Sequence, residues 1–331
     1  MKEKISICIP VRNDVRHIGQ AIASALAQDD DYTEIIVSDN CSTDGTRDVI
    51  SSLTGILAIQ QSIDLPMTDH WNQFRNIASG EWLIFLSSDD LLTPECIRYC
   101  RQAIDDSVDA VFFEYDFLLE DRRQEKLPFY AQAALIPALE QHGVFIVGNN
   151  FPLSMALLRR SALQAVGWFD TDYQFCSDWE LWLRLTSRLA DRRVAYLPKP
   201  LGSYRLHDSN ETGRCIRSRT ALTEVIRMKA HYLQNYRGPQ KRLAEIVNAS
   251  RHGTLRLAER YRDSMIAIGD DIAAEHYMQL AQEHSEALKS ITTLVRPSGP
   301  PYPLPPNSEL IALSEEVLPT GLRQESKLTF K

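Results

Sequence analysis

The first two thirds of the chain alternate between short apolar runs and amphipathic stretches. The apolar runs have the length of strands and lie at residues 4–11, 34–38, 56–59, 82–87, 108–115, 153–158, 194–197 and 201–205. Helical periodicity is found between them, at residues 15–28, 42–53, 68–79, 94–105, 160–166 and 175–185. Strands that alternate with helices on short connections are typical of βαβ units. We therefore predict an α/β fold with a Rossmann-like, mainly parallel sheet flanked by helices.

The run Trp82–Leu86 is predicted to be a buried strand, and it is followed closely by the neighbouring carboxylates of Asp89 and Asp90. Thr93 is predicted to cap the next helix, with Pro94 at its first position, so the two acids are not required as caps. Ligands bind beyond the carboxyl ends of strands in open α/β sheets. We therefore expect the two acids to serve a cation, a phosphate partner, or both.

The pattern changes along the rest of the chain. Residues 120–147 are charged at first and then mixed, and we predict that they form an excursion outside the core. Long helical patterns begin near residue 212, and a Pro-rich segment of the kind that stays flexible follows at 296–306. The predicted organisation is an α/β domain, a helical region and a flexible Pro-rich tail, over residues 1–210, 211–292 and 293–331.

Composition narrows the class of protein. The 331 residues carry a net charge of −8, which argues against nucleic acid as a partner because phosphate binding needs a basic face. No apolar run approaches the ~20 residues of a membrane helix, and no signal-peptide pattern precedes the first strand. The six cysteines lack metal-type spacing. These features predict a cytoplasmic protein.

Asp39 ends the second predicted strand, and its tip should lie at the same sheet edge as Asp89. An acid at the position of Asp39 can accept hydrogen bonds from a base or a ribose. Acids at the end of the strand before Asp89 can hold a divalent cation that neutralises a diphosphate. Acids are also common in βα loops for structural reasons alone. No glycine-rich phosphate loop follows the first strand, which excludes the usual dinucleotide and P-loop sites.

Asp178 and Glu180 are predicted to open a helix that also carries Trp179 and Trp182. The two acids project about 200° apart, so they cannot perform the same task. A helix N-terminus favours the ionised carboxylate that a proton acceptor needs, although a first-turn acid can also simply stabilise its helix. The two tryptophans are interpreted as core residues. His207 ends a strand, and its position alone leaves both a core or solvated role and a ligand role open.

Taken in order, several segments resemble those of inverting family 2 glycosyltransferases with a GT-A fold, over roughly residues 4–210. The similar segments are Ile7–Asn13, Ala21–Gln28, Ile35–Thr46, Asn72–Asp90, Arg160–Asp170, Ser177–Arg184 and Tyr204–His207. In that family the first two segments form the opening strand and helix, the third forms the nucleotide-binding turn, and the fourth leads into the metal-binding DxD motif. The fifth and sixth form the acceptor side with the catalytic base, and the last lies near the diphosphate.

The resemblance implies a role for each matching residue. The donor, a nucleotide sugar and specifically a UDP-sugar, would be held by Pro10, Arg12, Asn13, Asp39, Asn72, Ser88 and Asp90, with Asp39 facing the base. Asp89 would ligate Mn²⁺ or Mg²⁺, with His207 as a further ligand or phosphate contact. Asp178 would deprotonate the acceptor hydroxyl for a displacement with inversion.

The resemblance implies that the acceptor is a hydroxyl of a glycan, a lipid-linked sugar or a glycoprotein, as in the synthesis of bacterial surface polysaccharide. A lipid-linked acceptor would bring the protein to the inner face of the membrane. Two positions depart from the family pattern, because Ser87 replaces the first acid of DxD and Ser177 replaces the acid before Asp178. A non-catalytic nucleotide-sugar-binding protein of the same fold is therefore the alternative. A sugar-1-phosphate nucleotidyltransferase is disfavoured, because Val11–Val15 contains no glycine.

Overall fold

The computed structural model describes residues 2–120, 122–207, 211–289, 304–305, 307–311 and 313. The strands in this part of the chain are β1 (Ile5–Val11), β2 (Thr33–Asp39), β3 (Leu57–Gln60), β4 (Trp82–Phe85), β5 (Leu91–Leu92), β6 (Val108–Leu119), β7 (Arg122–Gln124), β8 (Ala134–Pro137), β9 (Ala156–Arg159), β10 (Arg193–Leu206) and β11 (Glu309–Leu310). The helices are α1 (Ile18–Leu26), α2 (Thr46–Ser51), α3 (Met67–Asn72), α4 (Phe74–Ile77), α5 (Cys96–Gln102), α6 (Ala138–Val147), α7 (Arg160–Val166), α8 (Ser177–Arg188), α9 (Glu211–Arg217), α10 (Ala221–Gln234), α11 (Leu243–Ala267) and α12 (Asp271–Lys289).

The strands form one sheet in the order β11-β8-β10-β6-β9-β4-β1-β2-β3, with β5 paired to β10 and β7 to β6. Parallel pairings join β1 to β2 and β4, β2 to β3, and β10 to β6, and the two longest in the described sheet, β1–β2 and β6–β10, are among them. Antiparallel β9 connects the two parallel blocks. The predicted α/β fold with a mainly parallel sheet is confirmed.

The central strands are covered on both faces, as their continuous apolar sequences predict. All seven residues of β1 are buried. Because successive side chains of a strand point to opposite faces, Cys8 and Phe85 enter one core while Ile9 and Ile84 enter the other. The register places the carboxyl ends of β1, β2 and β4 at one edge of the sheet.

The predicted excursion at residues 120–147 is wrong. This segment supplies β7, β8 and α6, and α6 buries Phe145 and Ile146 completely. Its polar residues misled the prediction because their partners come from other elements: Gln141 accepts a hydrogen bond from Tyr130 Oη of the segment before β8, and His142 Nδ1 lies 3.1 Å from Thr186 Oγ1 of α8.

One predicted helix cap, and the predicted start of the helix over residues 42–53, are also wrong. Helix α5 begins at Cys96, whose N–H donates to the Thr93 carbonyl, because Leu91–Leu92 pairs with β10 and delays the helix start. Helix α2 begins after Gly45, whose φ of +94° favours glycine, and the Ser42 hydroxyl instead accepts the N–H of Asn13. The two short strands predicted near residues 194–205 are one strand, β10, with register shifts around Pro200.

Helices α9 to α12 follow the sheet, as the helical pattern from residue 212 predicts, and they have their own core around Ala258, Tyr261 and Tyr277. None of the helices described is long and apolar enough to cross a membrane. Most of the predicted tail at residues 293–331 lies outside the described residues. Its described part includes β11, which pairs with β8, so that part is not the flexible segment predicted.

Candidate active site

An open cavity of about 1970 Å³ lies along the carboxyl edge of the sheet and continues beneath α11. The loops after β1 and β4, the first turn of α8, and the residues that end β10 all contribute to its wall. Seven of the residues proposed from sequence line it: Pro10, Arg12, Asn13, Ser88, Asp89, Asp178 and His207. The fold therefore brings the expected metal, donor and base residues to one cavity.

A polar cluster surrounds Asp89. His207 Nε2 lies 2.9 Å from Asp89 Oδ2, and this hydrogen bond raises the pKa of the histidine. The His207 ring also lies 5.0 Å from that of His17, whose Nδ1 is 2.7 Å from Asp14 Oδ1. Ser88 donates to the other oxygen of Asp14 at 2.7 Å. Sequence reasoning missed Asp14 and His17, although both come directly after the β1 segment that carries the resemblance.

The residues around Asp89 fit a cation that arrives with a diphosphate. No group of three or more ligating side chains suited to a metal occurs among the residues described. Mg²⁺ and similar ions are commonly bound by one or two protein ligands, with substrate phosphates and water completing the shell. Asp89 and His207 can supply such a partial set. They do not form a complete protein cage.

Asp90 does not line the cavity, in contrast to its expected donor contact. Its carboxylate is 1% exposed and accepts hydrogen bonds from Ser154 Oγ at 2.6 Å and from the Arg205 N–H at 2.9 Å. Burial and the neighbouring Asp89 raise its pKa well above the ordinary range. Arg205 in turn donates to the Asp89 carbonyl at 2.8 Å. Asp90 therefore fastens the end of β10 beside Asp89.

Two further expected donor residues also lie behind the wall. Asp39 is 1% exposed, and its carboxylate accepts a hydrogen bond from Arg47 Nε at 2.7 Å. Asn72 is bonded to the backbone of Phe169 through both its amide nitrogen and its amide oxygen, at 2.9 and 3.0 Å. Both side chains hold loops together in this structure. Asn40, which follows Asp39, does line the cavity.

Asp178 stands in the first turn of α8 with both carboxylate oxygens held. Oδ1 accepts the N–H of Trp179 at 2.6 Å, and Oδ2 accepts the side-chain amide of Asn149 at 3.1 Å. Burial nevertheless raises its pKa to about 6, because the loss of water outweighs these bonds. A carboxylate with this pKa is ionised at neutral pH and is basic enough to accept a proton. Sequence reasoning missed Asn149, which has no motif of its own.

Glu180 has a different role from Asp178, as their angular separation predicts. It is 3% exposed, accepts a hydrogen bond from Tyr232 Oη at 2.8 Å, and is in a buried ion pair with Arg184 at 2.7 Å. Trp179 and Trp182 are buried as expected, and their indole N–H groups donate to the carbonyls of Phe145 and Phe151.

The cavity continues from Asp178 along a stripe of α11 that sequence reasoning did not single out. This stripe contains Ala249, Gly253, Arg256, Leu257 and Arg260, and Phe175 and Val147 lie nearby on the wall. Arg256 and Arg260 are one helical turn apart, and among the residues described neither is in an ion pair or a side-chain hydrogen bond.

Comparisons with known proteins agree with this geometry. The model of Glycosyl transferase family 2 matches residues 6–167. The UDP-Glc:alpha-D-GlcNAc-diphosphoundecaprenol beta-1,3-glucosyltransferase WfaP of Escherichia coli is 26% identical, over 70% of this chain and 89% of its own. The uncharacterized protein y4gI of Sinorhizobium fredii is 25% identical over 61% of this chain, and the match spans only 22% of that relative.

A solved structure has the same fold. The TarS 1-349 structure from Staphylococcus aureus, in complex with UDP-GlcNAc, aligns with a TM-score of 0.62 at 18% identity, over 86% of this chain and 83% of that one. The curated name of TarS is poly(ribitol-phosphate) beta-N-acetylglucosaminyltransferase. The sheet, the cavity at its carboxyl edge and the matched segment agree on one conclusion: the chain has a GT-A fold, and its residues 6–167 belong to glycosyltransferase family 2.

Proposed function

We propose that this chain transfers a sugar, with inversion, from a UDP-sugar to a hydroxyl of a phosphate-bearing glycoconjugate in the synthesis of bacterial surface polysaccharide. The observation that carries the proposal is the presence of Asp178, a carboxylate with a pKa of about 6, in the same cavity as the Asp89–His207 pair. A base and a diphosphate site that share one cavity are what a direct displacement requires.

The donor occupies the edge formed by β1 and β4 in this proposal. Pro10, Arg12 and Asn13 line the nucleotide end of the cavity, where Arg12 is also paired with Asp64. A divalent cation, held by Asp89 and His207, would neutralise the diphosphate and so make it a better leaving group. UDP is the favoured nucleotide because the names of WfaP and the TarS complex both contain it.

Asp178 acts on the acceptor. The acceptor oxygen attacks the anomeric carbon of the donor from the face opposite the diphosphate, and its proton passes to a carboxylate oxygen of Asp178. The new bond to the acceptor oxygen forms as the bond to the diphosphate oxygen breaks, so the nucleoside diphosphate leaves and the configuration inverts. Trp179 and Asn149 hold the carboxylate during this step.

A phosphate-bearing acceptor is supported by the α11 side of the cavity. Arg256 and Arg260 stand on the wall beyond Asp178, and guanidinium groups suit phosphate oxygens. The acceptors in the names of WfaP and TarS, a diphosphoundecaprenol-linked sugar and poly(ribitol phosphate), both carry phosphate.

The donor part is tested by the thermal unfolding of the protein with UDP, GDP, CDP or dTDP, each with and without Mn²⁺. A ligand at a hundredfold excess over its dissociation constant stabilises the native state by ~2.7 kcal/mol. We expect a Mn²⁺-dependent shift with UDP that is lost in Asp89→Ala. A shift that persists in Asp89→Ala would contradict the metal assignment, and no shift with any nucleotide would contradict the donor site.

The transfer itself is tested with UDP-glucose and UDP-N-acetylglucosamine. The acceptor probes are N-acetylglucosamine linked through diphosphate to a short lipid, the same sugar as a methyl glycoside, and poly(ribitol phosphate). We expect a phosphate-bearing probe to be glycosylated with inversion. The double variant Arg256→Ala/Arg260→Ala should raise the KM for the phosphate-bearing probe and leave the KM for the methyl glycoside unchanged. UDP binding without transfer to any probe would instead favour a nucleotide-sugar-binding protein.

A further inference from the structure

We propose that helix α10 positions the Asp178 carboxylate, with Lys229 fixing the end of α6 and Asn149 making the final contact with the base. This inference rests on the proposed function, in which Asp178 accepts the proton. It assigns a catalytic contribution to the C-terminal helices, which lie outside the segment that matches the family model.

Lys229 is a buried cation that has no carboxylate partner in the part of the chain that the structure describes. Its side chain is 0% exposed, and Nζ donates to the carbonyl of Val147 at 2.9 Å, to Thr254 Oγ1 at 3.1 Å and to the carbonyl of Ser250 at 3.4 Å. Burial lowers its pKa to about 7, with a further contribution from Arg256. Removing an ammonium group from water costs free energy, and the three hydrogen bonds of Nζ offset that cost. These bonds therefore hold α6 and α11 to α10.

The contact with Val147 places Lys229 at the end of α6. The final carbonyls of a helix lack intrahelical donors and carry partial negative charge, so an ammonium group there both satisfies and stabilises them. Two residues further on, the Asn149 amide donates to Asp178 Oδ2. By fixing the Val147 carbonyl, Lys229 therefore fixes the short segment that presents Asn149 to the base.

Lys229 also contacts the other element that holds Asp178. Its Nζ lies 5.1 Å from the centroid of the Trp179 ring, within the range of a cation–π interaction. Trp179 donates its backbone N–H to Asp178 Oδ1 and its indole N–H to the Phe145 carbonyl of α6. A single ammonium group thus touches both supports of the carboxylate.

Neighbouring residues show that this junction is closely fitted. A Cβ atom at Gly253 of α11 would lie 2.7 Å from the Val147 carbonyl oxygen, so only glycine permits this approach. Elsewhere on α10, Glu224 accepts the N–H groups of Gln174 and Phe175, which precede α8, at 3.1 and 2.8 Å. Tyr232, also on α10, donates to Glu180 of α8. Helix α10 therefore holds α8 at three places.

The groups that face Asp178 make its ionisation measurable. Among the residues described, Tyr115 of β6 and Cys176, just before α8, interact with it, and burial raises the pKa of both. They stay neutral near pH 6. The pKa of Lys229 is about 7, so this side chain keeps its charge near pH 6. The acidic limb of a pH–rate profile should therefore report Asp178.

The first test compares Lys229→Met with Arg251→Met. Arg251 is a matched control because it is another buried cation of the helical region, 2% exposed, with its hydrogen bonds directed to Ser285 of α12. Turnover is followed as UDP release from UDP-glucose and UDP-N-acetylglucosamine. We expect Lys229→Met to lower kcat at least tenfold with a donor KM changed less than twofold, and Arg251→Met to leave kcat within twofold.

Hydrogen exchange supplies a readout that does not depend on turnover. The amides of residues 147–151 should exchange faster in Lys229→Met and at the wild-type rate in Arg251→Met. Equal losses of kcat in the two variants, or unchanged exchange in Lys229→Met, would overturn the role of Lys229. If Lys229→Met does not fold, the Asn149 variants below decide the inference.

Asn149 is exposed, so its replacement does not threaten folding. Its hydrogen bond lowers the pKa of Asp178, so Asn149→Ala should move the acidic limb of kcat/KM to higher pH by about 0.5 to 1 unit. Asn150→Ala is the control, because that amide donates to the Gly148 carbonyl and not to the base. An unmoved limb in Asn149→Ala would overturn the inference.

The two proposals fail in distinguishable ways. If Asp178→Asn keeps its turnover, the proposed base is wrong and the inference falls with it. If Asp178→Asn is inactive while the Lys229 and Asn149 variants behave like wild type, only the inference is wrong. The double variant Asn149→Ala/Lys229→Met should cost less than the two single losses combined, because both changes act through one segment.

Discussion

Two pairs of acids that are close in sequence lie at the cavity wall, and in each pair only one acid faces the cavity. Asp89 and Asp178 face the cavity, whereas their neighbours Asp90 and Glu180 are buried. The buried members differ in their partners. Asp90 is held by a backbone N–H and a hydroxyl, whereas Glu180 pairs with the Arg184 guanidinium and a phenol.

This difference separates the two ends of the site. At the donor end, the hydrogen bonds of Arg205 and His207 join the ends of β4 and β10 within the α/β part. At the acceptor end, α8 is held by Glu224, Lys229 and Tyr232 of α10. Donor binding and proton transfer should therefore respond to different parts of the chain.

The largest effect is expected from Asp178→Asn, which removes the base and keeps the shape of the side chain. Turnover should fall by about 10² to 10⁴, the usual contribution of a general base. The Mn²⁺-dependent thermal shift with UDP should remain, because the donor end is built separately. A variant with more than a tenth of wild-type kcat would contradict the assignment.

Glu180→Gln should weaken the fold instead. It leaves the Arg184 guanidinium buried without its carboxylate, and breaking a buried ion pair in this way costs about 3–5 kcal/mol. Urea denaturation followed by circular dichroism measures this loss. Glu275→Gln, on an exposed position of α12, is the control and should change the free energy of unfolding by less than about 0.5 kcal/mol.

The neighbours Asp89 and Asp90 should respond oppositely to the same substitution. Asp89→Asn should abolish the Mn²⁺-dependent part of the UDP shift, because an amide oxygen is a poorer ligand than a carboxylate. Asp90→Asn should keep it, because the amide oxygen can accept the Arg205 N–H and the amide nitrogen can donate to Ser154. Equal loss in both variants would show that Asp90 acts on the donor after all.

The smallest expected effect is a difference in pH dependence between the acceptor end and the donor end of the site. Asp178 must be ionised to accept a proton, and its pKa is raised to about 6. As pH falls through 6, kcat at saturating donor should decline and then drop tenfold per unit, whereas the Mn²⁺-dependent UDP shift should follow His207, which must lose its proton to bind the cation and whose pKa is raised. A pH–rate profile with no acidic limb between pH 5 and 7 would contradict this.

Sequence reasoning succeeded where local pattern decides structure. The apolar runs located the central strands, whose ends place Asp89 at the cavity, and the helix start at Ser177 carries Asp178 as expected. It failed where the decisive contact is remote. Helix α6 is buried on nearly all sides, so it lacks the amphipathic stripe of a surface helix, and its polar residues find partners only after folding.

The functional residues that were missed have the same explanation. Asn149 and Lys229 belong to no motif, and their roles depend on the meeting of α6, α8 and α10. The donor contacts expected of Asp39, Asn72 and Asp90 stay predictions. The resemblance gave them donor contacts, whereas here their side chains hold the loops that shape the cavity.

The close approach of Gly253 to Val147 has a consequence for how such enzymes can be recombined. The boundary after residue 207 is a natural place to join this α/β part to the helices of a relative, in order to change acceptor preference. A chimera joined there would set a foreign α10 and α11 against the resident end of α6. Residues 138–149 should therefore be exchanged together with the C-terminal helices. The chimera then receives α6 and Asn149 from the same protein as the helices that pack against them.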